Sequence, residues 1–345
     1  MLGAVHLGHR EVALREFPMP EPRHGEVVVA VRASGICGSD LNYYRGPSPE
    51  ELGQPVVVAG HEPAGVVHAI GPGVSQEDVA VGDRVMVHHY VGCGRCGFCR
   101  SGWPQMCSTQ TITVLGKDAH GSHAPFISVP ASTLVPLRNE LSFVAGAAIA
   151  CGTGTAWGGL DRLGDIGGAT LVVYGQGPVG LSATMLAAAR GARVIAVDLA
   201  PARLEKAAEF GATETLNGRE VDTPSAVRDL TDGLGADLVL ETSGSSAAAA
   251  DALDSLQRWG RGCFVGIGAE VRLDVSKYLR KQLTLMTSWS MSIQGQIACA
   301  DFITRHALPI DALVTDEWSL DQVVEAYAVG DGQTAAGKGV IVFDG

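Results

Sequence analysis

A chain of 345 residues is longer than one typical domain, so two domains are expected, and 46% hydrophobic against 18% charged residues suits a soluble enzyme with a sizeable core. A net charge of −12 argues against nucleic acid or an anionic membrane surface as a general partner, because counterion-release binding needs a basic face. No run approaches the roughly eighteen apolar residues of a membrane span, and Met1 to Arg15 carries charges where a signal peptide would be apolar, so a cytoplasmic protein is expected.

Residues Gly25 to Ala33 alternate into a strand, and the chain turns at Ser34-Gly35-Ile36-Cys37-Gly38-Ser39-Asp40. After a loop punctuated by Pro and Gly, Arg45 to Pro55, an apolar strand Val56 to Ala59 runs into Gly60-His61-Glu62. Short segments around Ala64 to Ile70, Asp83 to His88 and Phe126 to Val129 are separated by Gly and Pro, a spacing that predicts a β barrel or sandwich.

Within that region lies Cys93-x2-Cys96-x2-Cys99-x7-Cys107, interleaved with Gly92, Gly94, Gly97 and Gly102. Four thiolates this close fold around one tetrahedral zinc, and glycines free backbone N–H groups to bond the sulfurs. Four sulfurs leave no open position, so the site is expected to be structural. A nucleic-acid-binding zinc ribbon is the alternative, but only Arg95 and Arg100 lie between the cysteines, too few for a phosphate-binding face. Eight cysteines with this spacing point to metal rather than to a secreted disulfide scaffold.

From Phe143 the chain turns to small residues, Ala145 to Ala150, and Cys151 to Trp157 reads as a helix leading into a second domain. That domain is organised around Thr170 to Asp198. Leu171 to Tyr174 is an apolar strand, Gly175-Gln176-Gly177-Pro178-Val179-Gly180 matches G-x-G-x-x-G, Leu181 to Arg190 is rich in helix formers, and Arg193 to Val197 is a second strand ending at Asp198. Gly175 permits the tight turn, Gly177 admits a pyrophosphate close to backbone, Gly180 lets helix pack on strand, and the helix N-terminus presents N–H donors to the anion. Asp198 is placed to accept the ribose hydroxyls of NAD and to repel a 2′-phosphate. An ordinary glycine-rich βα turn is the alternative. Pro201 to Phe210 and Ala247 to Trp259 as helices, with Ala236 to Glu241, Gly262 to Ile267 and Leu283 to Ser288 as strands, continue a rhythm that predicts a doubly wound parallel sheet. The tail, with helices Ile293 to Arg305 and Leu320 to Val329 and a strand Gly339 to Phe343, has no evident place in it.

Gly35-x-Cys37-Gly38-Ser39-Asp40, Gly60-His61-Glu62, the four-cysteine lobe, Cys151 and the Gly175 to Asp198 fingerprint occur in an order that resembles the zinc-dependent medium-chain alcohol and polyol dehydrogenases, over essentially the whole chain. The resemblance implies an α/β protein: a GroES-like β-rich catalytic domain, residues 1–152, a Rossmann NAD-binding domain, 153–292, and a segment, 293–345, returning to the catalytic domain. It implies that Cys37, His61 and Cys151 ligate a catalytic zinc, a Cys2His set of the kind known for alcohol dehydrogenase, with Glu62 as an alternative carboxylate ligand. Read from the residues alone, a Cys and a His at strand ends give zinc an open position, although either by itself would as readily be a core residue.

By the same resemblance Asp40 fixes the tautomer of His61, Ser39 takes the alcohol proton, and Thr155 packs on the nicotinamide. Lys338 resembles a base that meets the pyrophosphate, and Pro178, Val179 and Arg203 belong to the cofactor site. Asn42 stands where many members have a proton-relaying histidine. Asn42, Tyr43, Tyr44, Trp103, His120 and His123 are pocket candidates, and Cys263 and Cys299 have no assigned role. The implied protein is a homodimer or homotetramer holding two zinc ions per chain, and it moves hydride between an alcohol or polyol and NAD. The alternatives are a zinc-free quinone or enone reductase on the same scaffold and a non-catalytic NAD-binding protein.

Overall fold

The computed structural model describes residues 1–332 and 335–344. The chain forms two compact units: Met1–Cys151 together with the segment from Ser292 onward, and Gly152–Met291 between them.

Among the described residues the first unit is built on a seven-stranded sheet. Its path runs Val314–Trp318, Lys338–Val342, Glu26–Gly35, Pro63–Ile70, Arg84–Val87 and Leu134–Pro136, with Phe126–Pro130 also pairing on Glu26–Gly35. All pairs are antiparallel except the first, which is parallel. Alternate valines point inward: Val27, Val29, Val31, Val67, Val85 and Val87 pack with Ile127 and Val129. Burying each such side chain is worth roughly 1.5–3 kcal/mol, so this cluster fixes the register that places the strand ends.

The tail finds its place here rather than in the parallel sheet. Ile341 pairs with Ser34 and Val340 with Gly35, so the last strand closes against the strand that leads to Cys37. The expected strand Val56 to Ala59 is not one. Its backbone bonds are scattered, Ala59 N–H to Ala4 O of the strand Leu2–Gly8 at 2.8 Å and Gly121 N–H to Val58 O at 2.7 Å, so an apolar run with β character packs with Val58 and Ala59 buried but joins no ladder. A hairpin of Leu2–Gly8 and Glu11–Glu16 went unread in the sequence.

The second unit is a six-stranded parallel sheet in the order Glu214–Asn217, Arg193–Asp198, Thr170–Tyr174, Ala236–Glu241, Leu256–Phe264, Thr284–Thr287. The chain order reverses between Thr170–Tyr174 and Ala236–Glu241, the switch point where such sheets bind ligands beyond their carboxyl ends. Leu171 to Tyr174 is buried on both faces, as a central parallel strand requires. The helix Pro178–Ala189 opens with proline just inside its start, where the missing N–H costs nothing.

The helix expected through Trp259 stops at Ser255, and Leu256–Phe264 is one long strand. Alanine-rich helix propensity had masked the change of period. Glu214–Asn217 and Thr223–Asp229 are short, polar elements with too little apolar periodicity to read. One helical run among the described residues, Phe143–Leu163, is long and apolar enough to cross a membrane by length and composition alone, but 78% of its window is buried inside the protein, as in a core helix.

Candidate metal centres and dinucleotide turn

Cys37 ends the turn after the strand Glu26–Gly35 and stands before the helix Gly38–Arg45. The Asp40 carboxylate does two things there: Oδ2 accepts the Cys37 N–H at 2.9 Å, and Oδ1 lies 3.0 Å from His61 Nδ1. The Nδ1–H therefore donates to Asp40, which turns Nε2 toward the cluster; Nε2 offers a lone pair there once a cation takes the place of its proton. Burial works against ionisation at both groups, yet each overcomes it for the other: Asp40 is held below the usual carboxylate range and His61 well above the usual imidazole range.

His61 and Glu62 precede the strand Pro63–Ile70. Cys151 comes from a stretch of a different kind, the π-helical turn Ile149–Thr153 between the helices Phe143–Ala148 and Gly154–Leu163. Such turns inside α-helices recur at functional sites because they re-aim one side chain.

These elements bring together what the sequence had only spaced. Donor atoms of Cys37, His61, Glu62 and Cys151 all lie within 4.8 Å of one another. The two sulfurs are 3.9 Å apart, too far for a disulfide and close to the edge of about 3.8 Å that a Zn–S bond of about 2.3 Å gives in a tetrahedron. The hydrogen bond from the Cys151 thiol, and then His61, hold the Cys37 thiol well below its ordinary range against the opposition of burial. Burial pushes the Glu62 carboxyl up to about 7 despite the attraction of Lys338, and its Oε1 has no hydrogen-bond partner among the described residues. An orphaned carboxylate oxygen beside a sulfur pair and an imidazole lone pair is the donor chemistry of a borderline-soft cation, so this set fits zinc. Ser39 Oγ is 3.4 Å from His61 Nε2, half-buried at the mouth of the cluster.

Lys338 is a correction. Expected to meet a pyrophosphate, it is 1% exposed and forms an ion pair with Glu62, with its Nζ also 3.3 Å from Ile36 O. The last strand delivers it beneath Cys37. Gly35 makes room, since a Cβ there would sit 1.9 Å from Glu62 Oε2 and 2.6 Å from Lys338 Cε. Tyr44 is a second correction: its ring lies in the apolar cluster with Ile36, Trp318 and Tyr327 rather than in a pocket.

His89 has no local signature in the sequence, yet its ring centroid is 4.8 Å from that of His61 and its Nδ1 is buried without a hydrogen-bond partner among the described residues. Nor does Tyr327 have one; its hydroxyl lies 2.9 Å from His6 Nε2 and 3.2 Å from His123 Nδ1. Single buried polar residues on distant segments carry no local pattern.

The lobe is self-contained. Cys93 and Cys99 sulfurs are 3.9 Å apart and those of Cys96 and Cys107 4.0 Å, again tetrahedral edges. Backbone donors surround them: Cys96 N–H to Cys93 Sγ at 3.2 Å, Arg95 N–H to Cys93 Sγ at 3.4 Å, Cys99 N–H to Cys96 Sγ at 3.5 Å. Backbone hydrogen bonds from Cys99 and Ser108 bring Cys96 down to about 7, those from Thr109 and Cys93 bring Cys107 down to about 5, and burial pushes Cys99 up to about 12. Two sulfurs are thus prepared as thiolates by the backbone, and four together fit one cation with no position left open.

In the second unit Gly175 has φ +84°, and Gly177 caps the helix Pro178–Ala189; a Cβ on Gly177 would meet no described atom within 4 Å. Open space above a glycine at a helix N-terminus fits a phosphate. A Cβ on Gly180 would lie 1.7 Å from Gly175 O, so only glycine lets helix and turn close. Asp198 Oδ2 accepts the Gln176 N–H at 2.6 Å, and Oδ1 takes those of Leu199 and Ala200, which ties the end of its strand to the turn. Val179 lies within the helix's first turn, Arg203 in the first turn of Pro201–Glu209, and Thr155, half-buried, in Gly154–Leu163. Thr153 Oγ1 meets Ser182 Oγ at 2.9 Å and ties the start of Gly154–Leu163 to Pro178–Ala189, a tie without a local sequence pattern.

Comparison with known proteins agrees with this construction. The family model described as the alcohol dehydrogenase GroES-like domain matches residues 23–139, and that described as zinc-binding dehydrogenase matches 178–305. An uncharacterised zinc-type alcohol dehydrogenase-like protein of Escherichia coli is 36% identical, with 95% of each chain covered. The sorbitol dehydrogenase of Bacillus subtilis is 33% identical over 94% of this chain and 92% of its own. The solved structure of an alcohol dehydrogenase from a Thermus species superposes with a TM-score of 0.90 at 30% identity, covering 99% of both chains.

Proposed function

The chain belongs to the zinc-type alcohol dehydrogenase family, and from that premise we propose that it oxidises an alcohol or polyol to the carbonyl, reversibly, with NAD as hydride acceptor and zinc as Lewis acid. The observation that carries this reading is the convergence of Cys37, His61, Glu62 and Cys151 within 4.8 Å. Cys37, His61 and Cys151 hold the catalytic zinc, Glu62 is the alternative ligand, and Cys93, Cys96, Cys99 and Cys107 hold a structural zinc, two per chain. The first unit is the catalytic domain, to which the tail returns, and the second is the NAD-binding domain.

Cys37, His61 and Cys151 would hold a zinc that supplies a Lewis acid toward the substrate hydroxyl, and the turn 175–180 with Asp198 would hold the nicotinamide cofactor that supplies the hydride acceptor. The protein's own residues do the rest. Asp40 keeps the His61 ring turned so that Nε2 is available. Ser39 Oγ receives the hydroxyl proton and passes one on, so that two electrons leave with the hydride and the proton leaves separately. Lys338 offsets the charge of Glu62 in a site from which water is excluded. The experiment that tests the reading is NAD reduction by the zinc-loaded protein across a panel of simple alcohols and polyols; failure to turn over any of them refutes it.

NAD is expected over NADP. A 2′-phosphate at the end of the strand Arg193–Asp198 would meet the Asp198 carboxylate, and Leu199, Ala200 and Pro201 bring no base to offset the repulsion. Arg203 is the nearby competitor. kcat/KM should favour NAD by at least about tenfold, the effect of roughly 1.4 kcal/mol, and Asp198→Gly should narrow the gap. An NADP preference in the unaltered protein would assign the ribose site to Arg203 instead.

The protein is a homodimer or homotetramer in this reading. Support comes from Ile267, Val275 and Leu279, large apolar side chains 63–75% exposed on the segment leading to the edge strand Thr284–Thr287. Light scattering should return a multiple of the 35.8 kDa chain mass, and a monomer at micromolar concentration would contradict it.

A further inference from the structure

Glu241 is the last residue of the strand Ala236–Glu241, beside the switch point, in register with Tyr174. Its side chain is fully buried. Oε1 accepts from Ser243 N–H at 2.7 Å, from Gly244 N–H at 3.1 Å and from the Ser243 hydroxyl, while its carbonyl accepts from Val265 N–H at 2.9 Å and Gly266 N–H at 3.1 Å. One residue therefore gathers the loop that follows its own strand and the loop that follows the next.

The first of these loops touches the glycine-rich turn directly. Thr242 Oγ1 donates to Gly175 O at 2.9 Å and lies 3.0 Å from Tyr174 O. Ser243 fills the space where a Gly175 side chain would be: a Cβ there would come within 2.9 Å of Ser243 N, Cα and Cβ. Gly244 has φ +71°, and a Cβ on Gly266 would sit 2.1 Å from Gly244 N and 2.6 Å from Glu241 Oε2. The three loops are in van der Waals contact, with Oε2 between them and without a hydrogen-bond partner among the described residues.

We propose that Glu241 is a positioning residue for the dinucleotide: its carboxylate holds Thr242-Ser243-Gly244 against Gly175 and so preforms the turn that receives the pyrophosphate. A charged acceptor suits the task, since hydrogen bonds from N–H and O–H groups to a carboxylate are shorter and roughly twice as strong as neutral ones. A turn held in its binding conformation before the ligand arrives spares the ordering that would otherwise weaken affinity. Glu241 acts through the turn and touches none of the reacting atoms. The inference rests on the proposed use of NAD.

Titration calorimetry with NAD on the zinc-loaded protein tests it. Glu241→Ala should weaken the NAD Kd by about tenfold or more, while zinc content is unchanged and kcat at saturating NAD stays within about twofold. Glu241→Gln, which keeps an acceptor at Oε1, should recover to within about threefold. Thr242→Val removes one hydroxyl and should weaken NAD several-fold; it carries the test if Glu241→Ala does not fold. Wild-type affinity in Thr242→Val and Glu241→Ala, or an affinity loss that merely follows a loss of zinc and of thermal midpoint, overturns the proposal. A wild-type protein that does not bind NAD overturns the function on which it rests, a result distinguishable from variants that bind as the wild type does.

Discussion

Mild chelation should remove one zinc per chain, abolish turnover by more than about 10²-fold and leave the thermal midpoint nearly unchanged, whereas harsher chelation should remove the second and melt the lobe. The asymmetry follows from the donor sets. Residues 93–107 bring four sulfurs within 4.8 Å of one another, two of the tetrahedral edges 3.9 and 4.0 Å, inside a shell of backbone donors. Nothing there needs to open. In small zinc-finger peptides such binding supplies about 10–16 kcal/mol of apparent free energy at neutral pH, which is folding energy for a stretch with almost no core of its own. Cys37, His61 and Cys151 offer three ligands and must leave a position for substrate, so a chelator has a place to attack. Metal content by plasma emission, read beside activity and thermal midpoint at each step, checks the order. Full activity with a single zinc per chain, or activity surviving loss of the first ion, would sink both metal assignments.

What could be read from sequence was what is local. The lobe lies within fifteen consecutive positions, 93–107, and the dinucleotide turn within six, so spacing alone constrained their chemistry. The site around Cys37 was readable mainly through resemblance, because its parts lie on separate strand ends and a lone cysteine or histidine has no period. Some of the features that escaped depend on pairing across the chain. Lys338 reaches Glu62 because Val340 pairs with Gly35, and no window of sequence contains both. The helix Gly38–Arg45 was read as a turn because Ser39, Asp40 and Asn42 are weak helix formers; Asp40 accepts the Cys37 N–H and so begins it. The tail has no place in the parallel sheet because its last strand pairs with Glu26–Gly35, near the other end of the chain, and completes the sheet of the first unit.

Ser39→Ala should lower kcat by about 10²-fold or more, the scale of losing a general acid–base partner, whereas Asn42→Ala should lower it less than about tenfold. Ser39 Oγ stands 3.4 Å from His61 Nε2, beside the donor cluster, while Asn42 is exposed and lines an open pocket with His6, Tyr43, Leu52 and Lys117. An amide does not titrate near neutral pH, so Asn42 can hold a water or a hydroxyl in place without serving as base. The histidines that might have replaced the missing relay are otherwise engaged. His123 Nδ1 faces the Tyr327 hydroxyl and Nε2 faces Gly35 O, and burial lowers its pKa to about 4, so it stays neutral and shielded from solvent at pH 7. His120 Nδ1 accepts the Val58 N–H at 3.1 Å, with its ring against Phe17. On the proposed function the proton leaves Ser39 through the cofactor ribose and water rather than through either histidine. Both variants should be measured with a deuterated alcohol, so that a slow product-release step is not taken for chemistry. An Asn42→Ala variant as damaged as Ser39→Ala, with the isotope effect fully expressed in both, would make the amide an essential part of the relay and would refute this route.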